Sequence, residues 1–307
     1  MAKGARMMRA LLVFGLLWAA PVWAAKKTPA MPVPAMWVVS DADTKVTLFG
    51  TVHSLPRGVD WFKPHVVGAL DSADLMVMET LLPDSPASML PMVMRLARLP
   101  AERPVLERVP EIYRGTLERE MARLKTGPMD WYKTWFIALT LSNLQSDANG
   151  MDPGLGVEAV LTERAKIRKI PIEALETAEQ QLIYFDALSE ADQQQLLISA
   201  LEDLQGAKAE MDEMIADWMT GQTDSLGERV NADFERSPML KQMLVSDRNA
   251  RWADWIAKAM KARPGEIFIA VGAGHMAGPG SLLDALKTQG LVAKRSMPVA
   301  KKKATRR

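Results

Sequence analysis

One short phrase occurs near both ends of the chain, and it limits what the chain can fold into. Val46-Thr47-Leu48-Phe49-Gly50-Thr51-Val52-His53 is an apolar run, a glycine and a histidine three places on. Ile267 to Val271, followed by Gly272-Ala273-Gly274-His275, repeats it. The chain has three histidines, and two of them stand in this frame. A β-branched and aromatic run bounded by glycine reads as a buried strand. The glycine permits a sharp turn, so the histidine falls just past the strand's C-terminal end. In open α/β sheets ligands bind at that end. The two phrases are therefore expected in one sheet, with both imidazoles facing a common pocket.

The bulk of the chain allows such a sheet a sizeable core. Of 307 residues, 48% are hydrophobic and 24% charged, as in ordinary globular proteins. The net charge of +1 argues against a general nucleic-acid binder. With no cysteine there are no disulfides and no thiolate metal sites. Any metal must be held by His, Asp or Glu, which points to Zn, Mn, Fe or Co.

Residues 1–25 have the pattern of a secretory signal. Lys3, Arg6 and Arg9 form a basic start, Ala10 to Ala20 is apolar but short for a bilayer, and Val22-Trp23-Ala24 suits cleavage. The mature body is expected in the periplasm or secreted, with no stable membrane span after cleavage. Residues 26–36 read as a linker rich in Pro and Ala. Residues 296–307 read as a basic, disordered tail.

Between them, Met36 to Val39 and Lys45 to Phe49 flank a polar turn and predict a hairpin. Pro64 to Leu70 predicts a short helix, on which His65 is an isolated surface or half-buried residue. Leu75 to Met78 predicts a core strand that ends at Glu79. Residues 86–144 read as helical, broken at Pro91, Pro100 and Pro110, with Trp131, Trp135, Ile137, Ala138 and Leu141 as core. A helix is expected from Gly156 to Ile167, and Lys169 to Ile172 predicts a short strand whose proline suits an edge. Ala178 to Lys261 is almost wholly helical in pattern. Ser281 to Thr288 then predicts a helix, and Leu291 to Ala293 a last strand. The predicted fold is α/β: a mixed central sheet with flanking helices and a long helical insertion around 85–262, in one domain spanning 37–295.

Imidazole is the commonest metal ligand and general base near neutral pH, so His53 and His275 are the first candidates for chemistry. Glu79, just after a buried strand, falls on the same sheet rim as His53. Beside two histidines it suits a third ligand or the base for a metal-activated water. Arg248 and Asn249 lie in a polar knot between apolar stripes. An arginine there holds a developing negative charge or pairs with an inserted carboxylate. Asp152, Glu158, Glu173 and Glu176 read as caps or solvated groups. The glycines at 272, 274, 278 and 280 miss the spacing of a nucleotide-binding loop.

Taken together, Gly50 to His53, Val77-Met78-Glu79, Gly150-Met151-Asp152, Ile172 to Leu182, Arg248-Asn249 with Trp252, and Val271 to Gly278 resemble the TraB/PrgY/GumN family, which includes the Tiki-type proteases. The resemblance runs from about Trp37 to Arg295. It implies a core related to the erythromycin-esterase and ChaN-like folds. For the Tiki-type branch it implies metal-dependent hydrolysis of peptide bonds in a peptide or protein substrate. By position, it makes His53 and His275 metal ligands, Glu79 a ligand or the catalytic carboxylate, and Arg248 a polar partner. Mn, Co or Zn would be the ion. Glu176 is a motif residue with no assigned role. Since the family also holds members without shown hydrolysis, the alternative is a non-catalytic protein that binds peptide, metal or haem in the same cleft.

Overall fold

The strands of the sheet are β1 (Met36–Ser40), β2 (Thr44–Thr51), β3 (Leu75–Met78), β4 (Ile172–Ala174), β5 (Gly265–Gly272) and β6 (Lys294–Ser296). The computed structural model describes residues 33–81, 86–202, 204, 206–234 and 238–297. The expected signal segment, most of the linker and the end of the basic tail lie outside the described residues.

The six-stranded sheet has the order β4-β3-β5-β2-β1-β6. β1 and β2 form the predicted hairpin, and β6 adds antiparallel to β1. The remaining neighbours are parallel: β2 with β5, β5 with β3, and β3 with β4. Thr51 pairs with Gly272 and Met78 with Ala270, so the ends of these strands are level. Both phrases thus finish side by side on one rim.

Parallel strands are buried on both faces, and the alternation of side chains shows it. Phe49, Met76 and Phe268 face one core with Trp61, Leu70 and Leu161. Leu48, Val77 and Ile269 face the other with Trp252, Ile256 and Leu286. The helices that supply these faces belong to the series α1 (Pro64–Asp71), α2 (Leu90–Ala97), α3 (Glu111–Leu124), α4 (Thr134–Ala148), α5 (Val157–Arg168) and α6 (Ala178–Asp186). It continues with α7 (Glu190–Ser199), α8 (Ala207–Thr220), α9 (Thr223–Phe234), α10 (Pro238–Lys241), α11 (Asp247–Ala262) and α12 (Leu282–Thr288). α1, α5 and α8 cover the first face, and α11 and α12 the second. None of the described helices is long and apolar enough to cross a membrane.

The range around 85–262, read from sequence as a long helical insertion that also holds a short strand, contributes to more than one layer. α3, α4 and α7 share a separate core through Leu117, Ile137, Leu141 and Leu197. β4, α5 and α11, from the same range, belong to the sheet and its covering layers. Trp131 is not core: it precedes α4, is 40% exposed and carries the Arg98 guanidinium over its ring. Pro91 begins α2 rather than breaking a helix, as its fixed φ allows in a first turn. The last strand is β6 at Lys294–Ser296, not Leu291 to Ala293. Its alternation is weak because its residues lie at a sheet edge, half-buried or exposed.

Candidate active site

Four parallel strands each deliver one polar residue to the C-terminal rim. His53 follows β2, Glu79 follows β3, and His275 lies in the single helical turn Ala273–Met276 after β5. Glu176 follows β4, and its amide donates to the Glu79 carbonyl at 3.1 Å, continuing the ladder past the strand ends. Trp218 of α8 clamps the rim from the side, its Nε1 donating to the Gly50 carbonyl at 2.8 Å.

The two imidazoles are held in the same way. His53 Nδ1 lies 2.7 Å from Glu158 Oε1, and His275 Nδ1 lies 2.8 Å from Asn249 Oδ1. Asn249 is itself fixed, because its Nδ2 donates to the Gly280 carbonyl at 2.8 Å. His53 therefore presents Nε2 toward the space over Gly272, whereas His275 turns Cδ2 to that space and Nε2 to Arg248. A methyl group built on Gly272 would lie 3.5 Å from Glu79 Oε2, 3.6 Å from His275 Cδ2 and 3.9 Å from His53 Nε2. The glycine leaves a small cradle with these three groups around it.

Arg248, the second residue of α11, is buried against this cradle. Its Nε donates to Glu176 Oε1 at 2.8 Å, and its Nη2 reaches both Glu176 and Glu79. Its Nη1 donates to the Leu244 carbonyl at 3.0 Å and lies 3.2 Å from His275 Nε2. A guanidinium can only donate, so Nε2 accepts and the proton of His275 sits on Nδ1. The guanidinium lies 4.8 Å from the Trp252 ring, which packs against His275 at 4.4 Å with the two ring planes tilted by 50°. Leu244 belongs to a π-helical turn, Gln242–Ser246, that precedes α11. Such turns recur at functional sites.

The charges are set by these partners. Burial pushes His275 down to about 4, so its ring is neutral at pH 7. The hydrogen bond that His53 donates to Glu158 raises the His53 pKa to about 9, against the desolvation of the ring. This ring stays open to the cleft, its side chain 71% exposed. Burial opposes ionisation of Glu79, but His275, Arg248, His53 and the Gly272 amide outweigh it and hold its pKa at about 2. In that acid range both rings carry charge. Glu158 is also held below the usual carboxylate range, where His53 overcomes its burial.

The structure brings His53, Glu79, His275 and Arg248 together on one cleft of about 560 Å³. It also gives Glu176 a place, as the second carboxylate on Arg248. Sequence reading gives Glu158 and Gln181 no part in the site, and Asn249 only a place beside Arg248 in a polar knot and a family motif. Gln181 Nε2 donates to Glu79 Oε1 at 2.8 Å. Glu158 was taken as a cap, since it stands in the first turn of α5. The signal that could have marked it is the preceding Gly156. A Cβ at Gly156 would lie 2.0 Å from the His53 carbonyl oxygen, so this helix start must touch the first histidine.

With that geometry in view, residues 35–295 match the TraB/PrgY/gumN family. The chain belongs to this family. Uncharacterized protein YbaP of Escherichia coli (strain K12) is 25% identical over 268 residues, covering 87% of this chain and 97% of that protein. Uncharacterized protein YbaP of Shigella flexneri is similar to the same extent, 25% over 268 residues. No solved structure matches the chain significantly.

Tiki-type members of the TraB/PrgY/gumN family imply a metal, and the donor set here suits one in kind. Two imidazoles have Nδ1 held by an outer oxygen, the usual arrangement for ligating histidines, and an ionised carboxylate stands beside them. Glu158 adds a buried Oε2 with no hydrogen-bond partner. Among the described residues, no three His, Asp or Glu side chains are close enough to enclose a cation. Arg248 stands between Glu79 and His275.

Proposed function

We propose that this chain is an exported, metal-dependent hydrolase that cleaves peptide bonds. The observation that carries this reading is the cradle at Gly272, with Glu79 and both imidazoles around it and Arg248 between Glu79 and His275. His53 Nε2, Glu79 and, once Arg248 is displaced from it, His275 Nε2 would hold the ion, which is Mn, Co or Zn. Such an ion, when bound, polarises a carbonyl and makes water acidic near neutrality.

The chain's own groups do the rest. Glu158 and Asn249 fix the two rings through Nδ1, which leaves Nε2 of His53 to the cleft and Nε2 of His275 to Arg248. Glu79, kept ionised by its neighbours, accepts a proton when it is not a ligand. Arg248 supplies a fixed positive charge at the cleft for the oxygen that becomes negative when a carbonyl is attacked. Burial behind Tyr184 and Trp252 spares that charge reorganisation during reaction. Export rests on the basic and apolar pattern of residues 1–25.

A second reading, non-catalytic binding in the same cleft, draws on Arg248. A guanidinium engaging both Glu79 and His275 suits a site that recognises a ligand without turnover. Protein purified without chelator or His-tag separates the two. The hydrolase reading expects bound metal, cleavage of a peptide library with Mn, Co or Zn, and loss of both on His53→Ala. No cleavage with any of the three metals, and none lost on substitution, would leave the binding reading.

A further inference from the structure

The cleft has two unlike sides. Its floor is the polar rim of the sheet. Its wall is built by helices outside the sheet's edge and is apolar: Phe185 of α6, Met211 and Met214 of α8, Leu226 of α9, and Leu244 of the π-helical turn. Met211 and Met214 are three residues apart and so share a helix face. Further along α8, Ile215 and Trp218 are buried in the core, whereas the two methionines are only half-buried. This stripe passes from packed core into open cleft. Trp218, hydrogen-bonded to Gly50, ties it to the strand that carries His53.

Opposite kinds of group stand in the same cleft. Asn143 and Ser146, three residues apart on α4, line it and make no side-chain hydrogen bond among the described residues. Ser54 lies beside them in the same state. Free amide and hydroxyl groups are of no use to a hydrocarbon chain but suit peptide N–H and C=O groups. The volume of about 560 Å³ falls within the range of ligand pockets, about 300–1,000 Å³.

We infer that the wall formed by Phe185, Met211, Met214 and Leu244 receives a large apolar side chain of a peptide, next to the bond held over Gly272. This rests on the hydrolase reading only for what happens to that bond, not for the binding of the side chain. Methionine is unbranched and adapts its shape, so the pocket selects for apolar bulk rather than one residue. Leu, Met and Phe are its expected occupants. The apolar wall offers an acidic side chain no partner for its charge, which disfavours it.

The test uses the full chain and a capped pentapeptide series, alanine except for a central Leu, Met, Phe, Gly, Asp or Lys. Binding is measured by calorimetry and cleavage separately by chromatography, with and without added Mn, Co or Zn. The expected result is binding about tenfold or more tighter for Leu, Met and Phe than for Gly or Asp. Met211→Asp with Met214→Asp removes that preference, and Met211→Leu with Met214→Leu keeps it. Equal binding across the series, or a preference that survives the aspartates, overturns the inference. If the aspartate variant does not fold, the wild-type ranking alone still decides. Cleavage without apolar preference sinks the pocket and leaves the hydrolase. Apolar preference in binding with no cleavage under any metal does the reverse. A fatty acid that displaces every peptide and binds more tightly than all of them overturns the peptide assignment.

Discussion

Nδ1 of His53 lies 2.7 Å from Oε1 of Glu158, and this one contact ties the end of the second strand to the start of a helix over a hundred residues later. It also separates the three histidines in their titration. In metal-free protein, NMR is expected to find His53 near 9, His275 near 4, and His65 below 6.5 because burial outweighs its backbone partner. Glu158→Gln should return His53 toward its ordinary value. A His53 that titrates normally in the wild type would remove the pairing.

The same contact gives a pH dependence with a fixed sign. A raised folded pKa means stability that is complete below the unfolded value of 6.5 and lost as pH rises through about 9. Denaturation at pH 6 should therefore separate wild type from Glu158→Gln, and at pH 10 the gap should narrow. A gap that widens with pH would contradict the assignment.

Among the described residues, Arg248 alone forms ion pairs with both of two buried carboxylates, Glu79 and Glu176. Arg248→Met leaves both uncompensated, and the expected loss in urea denaturation is about 3–5 kcal/mol. Adding Glu176→Gln should recover part of it, since one stranded charge is then gone. A loss below about 1 kcal/mol would mean the pairs behave as surface pairs do.

Two glycines at the site should answer oppositely to alanine. At Gly272 the added methyl meets only ordinary contacts, the closest at 3.5 Å, and its φ of −48° suits any residue. Gly272→Ala should fold with stability changed by less than about 1 kcal/mol. By filling the cradle it should lower peptide cleavage about 100-fold, and Zn affinity with it. At Gly156 the methyl would lie 2.0 Å from the His53 carbonyl oxygen and 2.7 Å from its carbon, both backbone atoms. Gly156→Ala should destabilise the protein markedly, read as a drop in Tm. If Gly272→Ala keeps full activity and metal affinity, the cradle is not the site.

Away from the site, Asp71 of α1 receives Arg164 of α5, with Nε to Oδ1 at 2.8 Å. The guanidinium lowers the Asp71 pKa from 3.8. A depressed carboxylate stabilises above its unfolded pKa and ceases to as pH falls through the folded one. Asp71→Asn should then lower Tm at pH 7 and make little difference near pH 2.

Much of this was legible in the chain. Apolar runs closed by Gly50 and Gly272 marked two strands, and the short apolar run Leu75 to Met78, cut off by the Glu79 carboxylate, marked a third. The family followed from motifs spread over the domain. Local pattern did less well where burial, not periodicity, decides: Trp131 fits a helical stripe yet lies outside it, and β6 has too little apolar content to show its register. What the sequence by itself determined was where the strands that lead to His53, Glu79 and His275 end, because strand pattern and glycine placement are local properties of the backbone. Only the tertiary structure decided that the ends are level and adjacent, that Glu158 and Asn249 hold the two rings through Nδ1, and that Arg248 lies against two carboxylates. Those relations join segments far apart in the chain, and they are fixed by parallel pairing and by the cost of leaving a buried charge unpaired.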